Sequence, residues 1–190
     1  MKIHTRKKFK KQITAATLLC SLLATIICVN MKLIDVAGSG DVLEAEGLLK
    51  SKENINEQDN FGNTPLYEAV IKNKEAMVKF LLEHHAKPDI GNKQGYLPLY
   101  IAALQGNNVI IKILLANGAR ATINRKNGYK DGGIFTPLHA AIMRGHIETV
   151  QILLENGADP KIETADGEDS YQLAEKLKNK AVIDILNRYK

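Results

Sequence analysis

Histidine and cysteine are the residue types here that could do acid–base, metal or nucleophilic chemistry, and their placement disfavours all three. His84 and His85 are adjacent, and neighbouring residues on a helix point about 100° apart, so the pair makes a poor metal site. We expect a solvated helix end there instead. Both cysteines, Cys20 and Cys28, lie in an apolar stretch near the N-terminus, so the remaining chain has no thiol for catalysis or zinc binding.

The sequence also lacks the motifs that usually accompany catalytic residues. It contains no glycine-rich phosphate loop, no nucleophile elbow and no cluster of convergent carboxylates. We therefore expect no enzyme activity, no cofactor and no metal. The remote alternative is an enzyme or metal protein that uses the histidines, chiefly His139 and His146.

The segment 136–160 shows which elements would position these side chains, because it has the punctuation of two short helices. Thr136 is a good N-cap, and Pro137 suits the first helical position. Apolar residues then follow at helical spacing, Gly145 ends the first helix, and a second helix runs from about His146 to Gly157. A unit this small cannot bury its own apolar faces and needs similar neighbours.

The chain supplies those neighbours as copies of the same pattern. Thr64-Pro65-Leu66 and Leu97-Pro98-Leu99 stand 33 residues apart, ahead of Thr136-Pro137-Leu138. Paired leucines recur in step at 81–82, 114–115 and 153–154. Weaker copies flank these three, starting near Met31 and near Asp166. A regular repeat of this length indicates a stacked array.

The period of 33, with Thr-Pro-Leu-His-x-Ala, Gly-His and Leu-Leu-x-x-Gly-Ala-Asp, resembles the ankyrin repeat. The resemblance implies an all-α helical repeat solenoid of helix-turn-helix units joined by β-hairpin loops. About five repeats are expected, at 31–57, 58–90, 91–122, 130–162 and 163–190, with degenerate end caps. In that family histidines such as His139 and His146 are structural. Asn73 and His85 replace expected glycines, and Leu97 lacks the hydroxyl cap of its equivalents.

The loop before the fourth repeat is longer than the others. Gly118 and Thr136 are 18 residues apart, whereas Gly157 and Asp169 are 12 apart, which indicates six added residues. Asn127-Gly128 predicts a type I′ turn, so we expect a projecting finger at 125–133. It either contacts a partner, through Lys126 and Tyr129, or is a tolerated surface insertion.

The resemblance implies that a partner binds on the concave side, formed by the hairpins and the ends of the inner helices. Six expected positions there are apolar or aromatic and interleave with cations. Large anchors of this kind supply most of the energy of protein interfaces, although some, such as Phe135, could instead fold back onto adjacent hairpins. With the two finger residues, the candidate partner-binding set is Phe61, Asn63, Ile71, Lys72, Lys93, Tyr96, Leu104, Gln105, Lys126, Tyr129, Phe135, Met143 and Arg144.

The net charge of +5 belongs to the N-terminal segment. Six Lys and Arg residues and no acid occur in 1–30, which leaves 20 basic against 21 acidic residues in 31–190. The repeats carry no one-signed basic stripe, so a nucleic-acid partner is not expected.

Residues 1–30 have the polarity of a signal peptide or a signal anchor, with a basic head to Lys11 and an uncharged apolar run from Ile13 to Val29. Both interpretations stay open, because 17 helical residues span only about 25 Å of the roughly 30 Å membrane core. A misassigned start or a buried helix is the plainer alternative. Either targeting interpretation places the repeats outside the cytoplasm, exported or held by a single membrane pass.

Together these features predict a protein–protein interaction module or scaffold, exported or membrane-anchored, with a partner of unknown identity. Membrane contact would run through residues 13–29 if they are not cleaved, and the repeat domain is expected to be monomeric. The alternative is a mainly structural array that self-associates at the membrane surface.

Overall fold

A computed structural model describes residues 32–128 and 134–189. The predicted signal or anchor at 1–30 and the candidate contact Tyr129 lie outside these ranges. The described ranges contain ten α-helices and two short 3₁₀ helices, at Ala119–Thr122 and Asn187–Tyr189. The α-helices are α1 Leu33–Ser39, α2 Val42–Lys50, α3 Pro65–Ile71, α4 Glu75–Glu83, α5 Pro98–Gln105, α6 Asn108–Ala116, α7 Pro137–Arg144, α8 Ile147–Glu155, α9 Ser170–Lys176 and α10 Lys180–Leu186. Among the described residues, no helix has both the length and the apolar character needed to cross a membrane.

The helices form five antiparallel pairs that stack in two rows. The first helix of each pair contacts the first helix of the next, giving an inner row of α1, α3, α5, α7 and α9. The second helices form an outer row, α2, α4, α6, α8 and α10, with the same neighbour-to-neighbour contacts. The expected all-α repeat solenoid is confirmed. Within the described residues the only β pairing is an isolated bridge between Asn127 and Phe135.

The core lies between the two rows and repeats with the sequence. Ala69, Ala102 and Ala141 are fully buried at equivalent positions of the inner helices, where a small side chain lets adjacent helices approach closely. The most apolar outer helix by sequence, α6, buries Ile110, Ile111 and Leu114 completely, although its Val109 is half-exposed. Such burial is the main stabilising term for units that cannot fold alone.

Local capping explains why the inner helices begin where they do. The hydroxyls of Thr64 and Thr136 accept hydrogen bonds from the N–H groups of Tyr67 and His139, as their N-cap positions predict. Asp169 and Gln172 form a reciprocal capping box at α9. Leu97, the N-cap of α5, makes no side-chain cap.

One or two residues after nine of the ten helix ends, the backbone is left-handed even where the sequence lacks glycine. After the inner helices this residue is Gly40, Asn73, Gly106, Gly145 or Lys178, all with positive φ. After four of the outer helices it is Lys52, His85, Gly118 or Gly157, again with positive φ. The repeat geometry therefore imposes this conformation, and side chains other than glycine adopt it at a conformational cost.

The long loop is built differently from the prediction. A type I′ turn needs positive φ at both central residues, and Gly128 has it while Asn127 does not. Asn127 is instead fully buried at the base of the loop, where its backbone N–H donates to the Phe135 carbonyl at 2.7 Å. The prediction of a turn at Asn127-Gly128 is therefore wrong.

The added residues are also divided between two places. In three other hairpins the corresponding backbone bond joins residues four apart, from Asp59 to Asn63, Asn92 to Tyr96 and Thr164 to Glu168. Asn127 and Phe135 are eight apart, so four of the six extra residues lie in this loop. The other two fall before Asn127, in the segment that forms the 3₁₀ helix Ala119–Thr122.

Candidate partner-binding surface

A cleft of about 290 Å³ opens between the hairpin of the second repeat, at 59–63, the hairpin of the third repeat, at 92–96, and the adjacent face of α3. Its apolar part comes from Phe61, Tyr67 and Ile71, and the Phe61 side chain is among the most exposed large apolar groups in the described residues, at 73%. The remaining lining is polar and consists of Asn60, Asn63, Asn92, Lys93 and Gln94. An exposed aromatic ring beside a cleft is an arrangement that a protein partner can bury.

Backbone hydrogen bonds fix the position of Phe61. Asp59 Oδ1 accepts from the N–H groups of both Phe61 and Asn63 at 2.8 Å. The Phe61 carbonyl accepts from the N–H of Lys93 at 2.9 Å, which ties the second hairpin to the third. The two hairpin segments approach so closely that a Cβ on Gly62 would lie 2.6 Å from Lys93 N. The aromatic side chain is therefore exposed on a rigid support.

Tyr67 forms a buried wall of the cleft. Its hydroxyl accepts a hydrogen bond from Asn92 Nδ2 at 3.1 Å, and Asn92 Oδ1 accepts from the Tyr96 N–H at 3.0 Å. Burial, aided by the neighbouring Tyr96, raises the pKa of Tyr67 to about 12, so the phenol stays neutral. A single network thus joins α3 to the third hairpin.

Tyr96 extends this surface toward the fourth repeat. Its ring stacks on Tyr100 with the centroids 5.4 Å apart. Burial raises the pKa of Tyr100, and the positive charge of Arg144 on α7 opposes this effect. Arg144 ends α7, which packs directly against α5, the helix of Tyr100.

The structure brings together four of the predicted contact residues and leaves the others apart. Phe61, Asn63, Ile71 and Lys93 line the cleft. Eight others lie outside it, and of these Leu104, Tyr96 and Phe135 are only partly exposed while Met143 is 38% exposed. The eight are Lys72, Tyr96, Leu104, Gln105, Lys126, Phe135, Met143 and Arg144.

Some of these residues also hold neighbouring repeats together. Gln105 Nε2 donates to the Ile71 carbonyl at 2.9 Å, and the Leu104 carbonyl lies 3.2 Å from His146 Nε2. Within the fourth repeat, Phe135 contacts the His139 ring edge-on, with centroids 6.4 Å apart. Partner binding by these side chains remains a prediction.

Tyr67 and Asn92 line the cleft but were not among the residues predicted to contact a partner. Tyr67 stands at the third position of its helix, where α7 has His139 and α9 has Gln172. Because those two side chains turn back toward their hairpins to cap the helix, the position itself was a signal that Tyr67 would face the hairpin.

The histidines make structural contacts. His139 is fully buried, and its Nδ1 accepts from the Thr136 N–H at 3.2 Å. Burial lowers its pKa to about 4, although the nearby Ile162 carbonyl partly opposes this. His84 and His85 are exposed at the end of α4, as expected. No group of three His, Cys, Asp or Glu residues in the described ranges could hold a metal ion.

The sequence itself matches known repeat families. A family model of ankyrin repeats in three copies matches residues 33–127, which is half of the chain. A model of the single ankyrin repeat matches residues 135–165. The chain belongs to the ankyrin repeat family. Ankyrin repeats are in general non-enzymatic modules that bind other proteins, so this chain carries a protein interaction module.

Curated ankyrin proteins with similar segments come from distant sources. The ankyrin repeat protein L92 of Acanthamoeba polyphaga mimivirus is 48% identical over 48 residues, covering 25% of this chain and 12% of that protein. The ankyrin repeat domain-containing protein 13C-B of Xenopus laevis is 39% identical over 57 residues, covering 30% of this chain and 11% of that protein. In both cases the match spans only about a tenth of the relative's length.

Proposed function

We propose that this ankyrin array binds a protein partner through the concave surface formed by its hairpins and inner helices, centred on the Phe61 cleft. The observation that carries the proposal is an exposed aromatic side chain held on a hydrogen-bonded hairpin beside a cleft. Pre-organised aromatic groups lose little conformational entropy on binding, so burial of Phe61 would yield most of its hydrophobic free energy.

A neighbouring surface supplies a comparison within the same molecule. Val109 and Ile147, at the starts of the outer helices α6 and α8, are also exposed apolar residues, at 50% and 43%. Neither residue lines the Phe61 cleft. If exposure alone determined binding, replacing Val109 and Ile147 would weaken partner binding as much as replacing Phe61 and Ile71.

The test is affinity capture of the tagged full chain from cells of its native source. We expect a protein that is captured by the wild type, lost with Phe61→Ala plus Ile71→Ala, and retained with Val109→Ala plus Ile147→Ala. If both double variants lose the captured protein, or if both retain it, binding at this surface is contradicted.

A self-associating structural array is the second candidate function. It predicts that the purified chain forms oligomers without a partner, which light scattering at increasing concentration measures directly. A monomer that gains mass only when the captured protein is added supports the interaction module instead.

We further propose that residues 1–30 deliver the repeats across a membrane, either as a cleaved signal or as a single-pass anchor. The support is the basic head followed by the uncharged run from Ile13 to Val29. A reporter active only outside the cytoplasm, fused after Lys190, should be active. A dead reporter on a full-length cytosolic product would contradict export, and the size of an active product separates cleavage from anchoring.

A further inference from the structure

We infer that the segment bound in the Phe61 cleft is an acidic peptide that carries one large apolar side chain. This inference rests on the proposed function and specifies the chemistry of its partner. It follows from the size of the cleft, its polar lining and the charges around it.

The open form of the cleft suits a side chain better than a small-molecule ligand. Pockets for small molecules typically occupy about 300–1,000 Å³ and enclose most of the ligand. This cleft, at about 290 Å³, is at the lower end of that range, lies at the surface and is walled by Phe61 and Ile71. It has room for an apolar side chain whose backbone continues along the surface.

The polar lining suits a peptide backbone. Four of the eight lining residues, Asn60, Asn63, Asn92 and Gln94, carry amide groups. The amides of Asn63 and Asn92 bond within the fold, and those of the exposed Asn60 and Gln94 can both donate to and accept from peptide bonds. The lining includes one cation, Lys93, and no carboxylate. A carboxylate on the partner would therefore be attracted by Lys93, and no lining residue would repel it.

Two further cations are exposed beyond the cleft. Lys126 and Arg144 form no ion pair with a described residue. Among the carboxylates, that of Asp59 accepts the backbone hydrogen bonds of its own hairpin, and that of Glu68 lies 3.9 Å from Lys72. Lys126 and Arg144 add positive charge to that of Lys93, although residues 31–190 as a whole carry one more acid than base.

The aromatic residues connect the cleft to these cations. Tyr96 influences the titration of both Tyr67, in the cleft wall, and Tyr100, on which it stacks. Arg144 ends α7, which packs against α5, the helix that carries Tyr100. An extended acidic segment anchored beside Phe61 could run past the tyrosines toward Arg144, and its charges would speed association and favour the correct partner.

The test selects peptides with the full chain, purified in mild detergent, from a phage library of random peptides about twelve residues long. Counter-selection uses Phe61→Ala plus Ile71→Ala. Enriched peptides are then synthesised with a fluorescent label and titrated at low and high salt. We expect net-negative peptides with at least one large apolar residue, bound about tenfold more weakly by Lys93→Glu plus Arg144→Glu and more weakly at high salt.

The other outcomes separate the two claims. Enriched peptides that need Phe61 but are neutral or basic would overturn the acidic partner and leave the proposed function standing. Peptides whose binding is unchanged by Phe61→Ala plus Ile71→Ala would overturn the proposed surface as well. Tighter binding of a labelled single-stranded oligonucleotide, lost in the charge-reversal variant, would replace the peptide with a nucleic acid.

Discussion

The side-chain oxygen of Asn127 accepts a hydrogen bond from the backbone N–H of Leu97 at 2.9 Å. Leu97 is the N-cap residue of α5, and its N–H has no local side-chain partner of the kind that His139 and Gln172 supply in later repeats. Asn127 comes from the base of the next hairpin, and its amide also donates to the Arg125 carbonyl at 2.7 Å. The long loop therefore completes the helix start of the repeat before it.

Replacing Asn127 with alanine should destabilise the array by about 2 kcal/mol, because it leaves the buried N–H of Leu97 without a partner and removes the bond to the Arg125 carbonyl. Urea unfolding followed by circular dichroism measures the loss. Asn117→Ala is the matched control, since Asn117 is exposed and bonds only to the Ile113 carbonyl, and it should change stability by less than about 0.5 kcal/mol.

Hydrogen exchange gives a second, local measure of the same bond. In Asn127→Ala the amide of Leu97 should exchange faster, while the amide of Tyr67, which bonds to Thr64 within its own repeat, should change less. Equal stability of the two asparagine variants together with unchanged exchange at Leu97 would show that the bond is not important.

At two equivalent left-handed positions, introducing glycine and removing glycine should have opposite effects on stability. His85 has φ 67° and Gly157, its equivalent, has φ 95°. His85→Gly should stabilise the fold by about 0.5–1 kcal/mol, whereas Gly157→Ala should destabilise it by about 1 kcal/mol. A Cβ at Gly157 would have no atom within 4 Å, so the effect is one of backbone conformation. Thermal unfolding of both variants would contradict this account if the shifts had the same sign.

Gly106 should tolerate alanine less well than Gly157. A Cβ there would lie 2.7 Å from Cγ of His146, whose ring bridges to the Leu104 carbonyl. Gly106→Ala therefore adds a clash to the conformational cost. We expect a larger fall in the unfolding midpoint than for Gly157→Ala, and a difference that disappears when both are measured in a His146→Ala background.

His139 should make stability depend on pH in a defined window. Its pKa falls from 6.5 to about 4 on folding, so protons bind the unfolded chain more readily. Its contribution is complete above about pH 6.5 and is lost as the pH falls toward 4, by about 3 kcal/mol in all. His139→Gln keeps a capping side chain like that of Gln172 and should flatten this part of the profile.

The control for this titration is His84→Gln, because His84 is exposed at the end of α4. Its free energy of unfolding between pH 4 and 6.5 should follow the wild type. A His139→Gln profile parallel to the wild type over the same range would show that the histidine does not bring about the loss.

The sequence was sufficient where structure depends on residues close in the chain. Thr136, Pro137 and Gly145 start and end α7 as predicted, and the period of 33 aligns the buried alanines. It was misleading at Asn127-Gly128, a pair typical of tight turns. Asn127 instead pairs with Phe135 and accepts a hydrogen bond from Leu97 of the preceding repeat. The spacing of the repeat did not indicate that two of the added residues would fall after α6, in the segment that forms the 3₁₀ helix Ala119–Thr122.

The binding surface was predictable only in outline. The positions of Phe61 and Ile71 follow from the repeat, but the cleft between them depends on the bond from Lys93 N–H to the Phe61 carbonyl. Gln105 was expected to face a partner, and it also joins two repeats through the Ile71 carbonyl. Such contacts between repeats do not appear in the spacing of one repeat.

Binding isotherms of the captured partner with paired variants measure whether the partner protein occupies the Phe61 cleft. Phe61→Ala plus Ile71→Ala should weaken affinity by tenfold or more, since loss of a buried anchor costs about 2 kcal/mol. Val109→Ala plus Ile147→Ala should leave affinity within about twofold. Wild-type affinity in the cleft variant, with its fold intact by circular dichroism, would contradict the account.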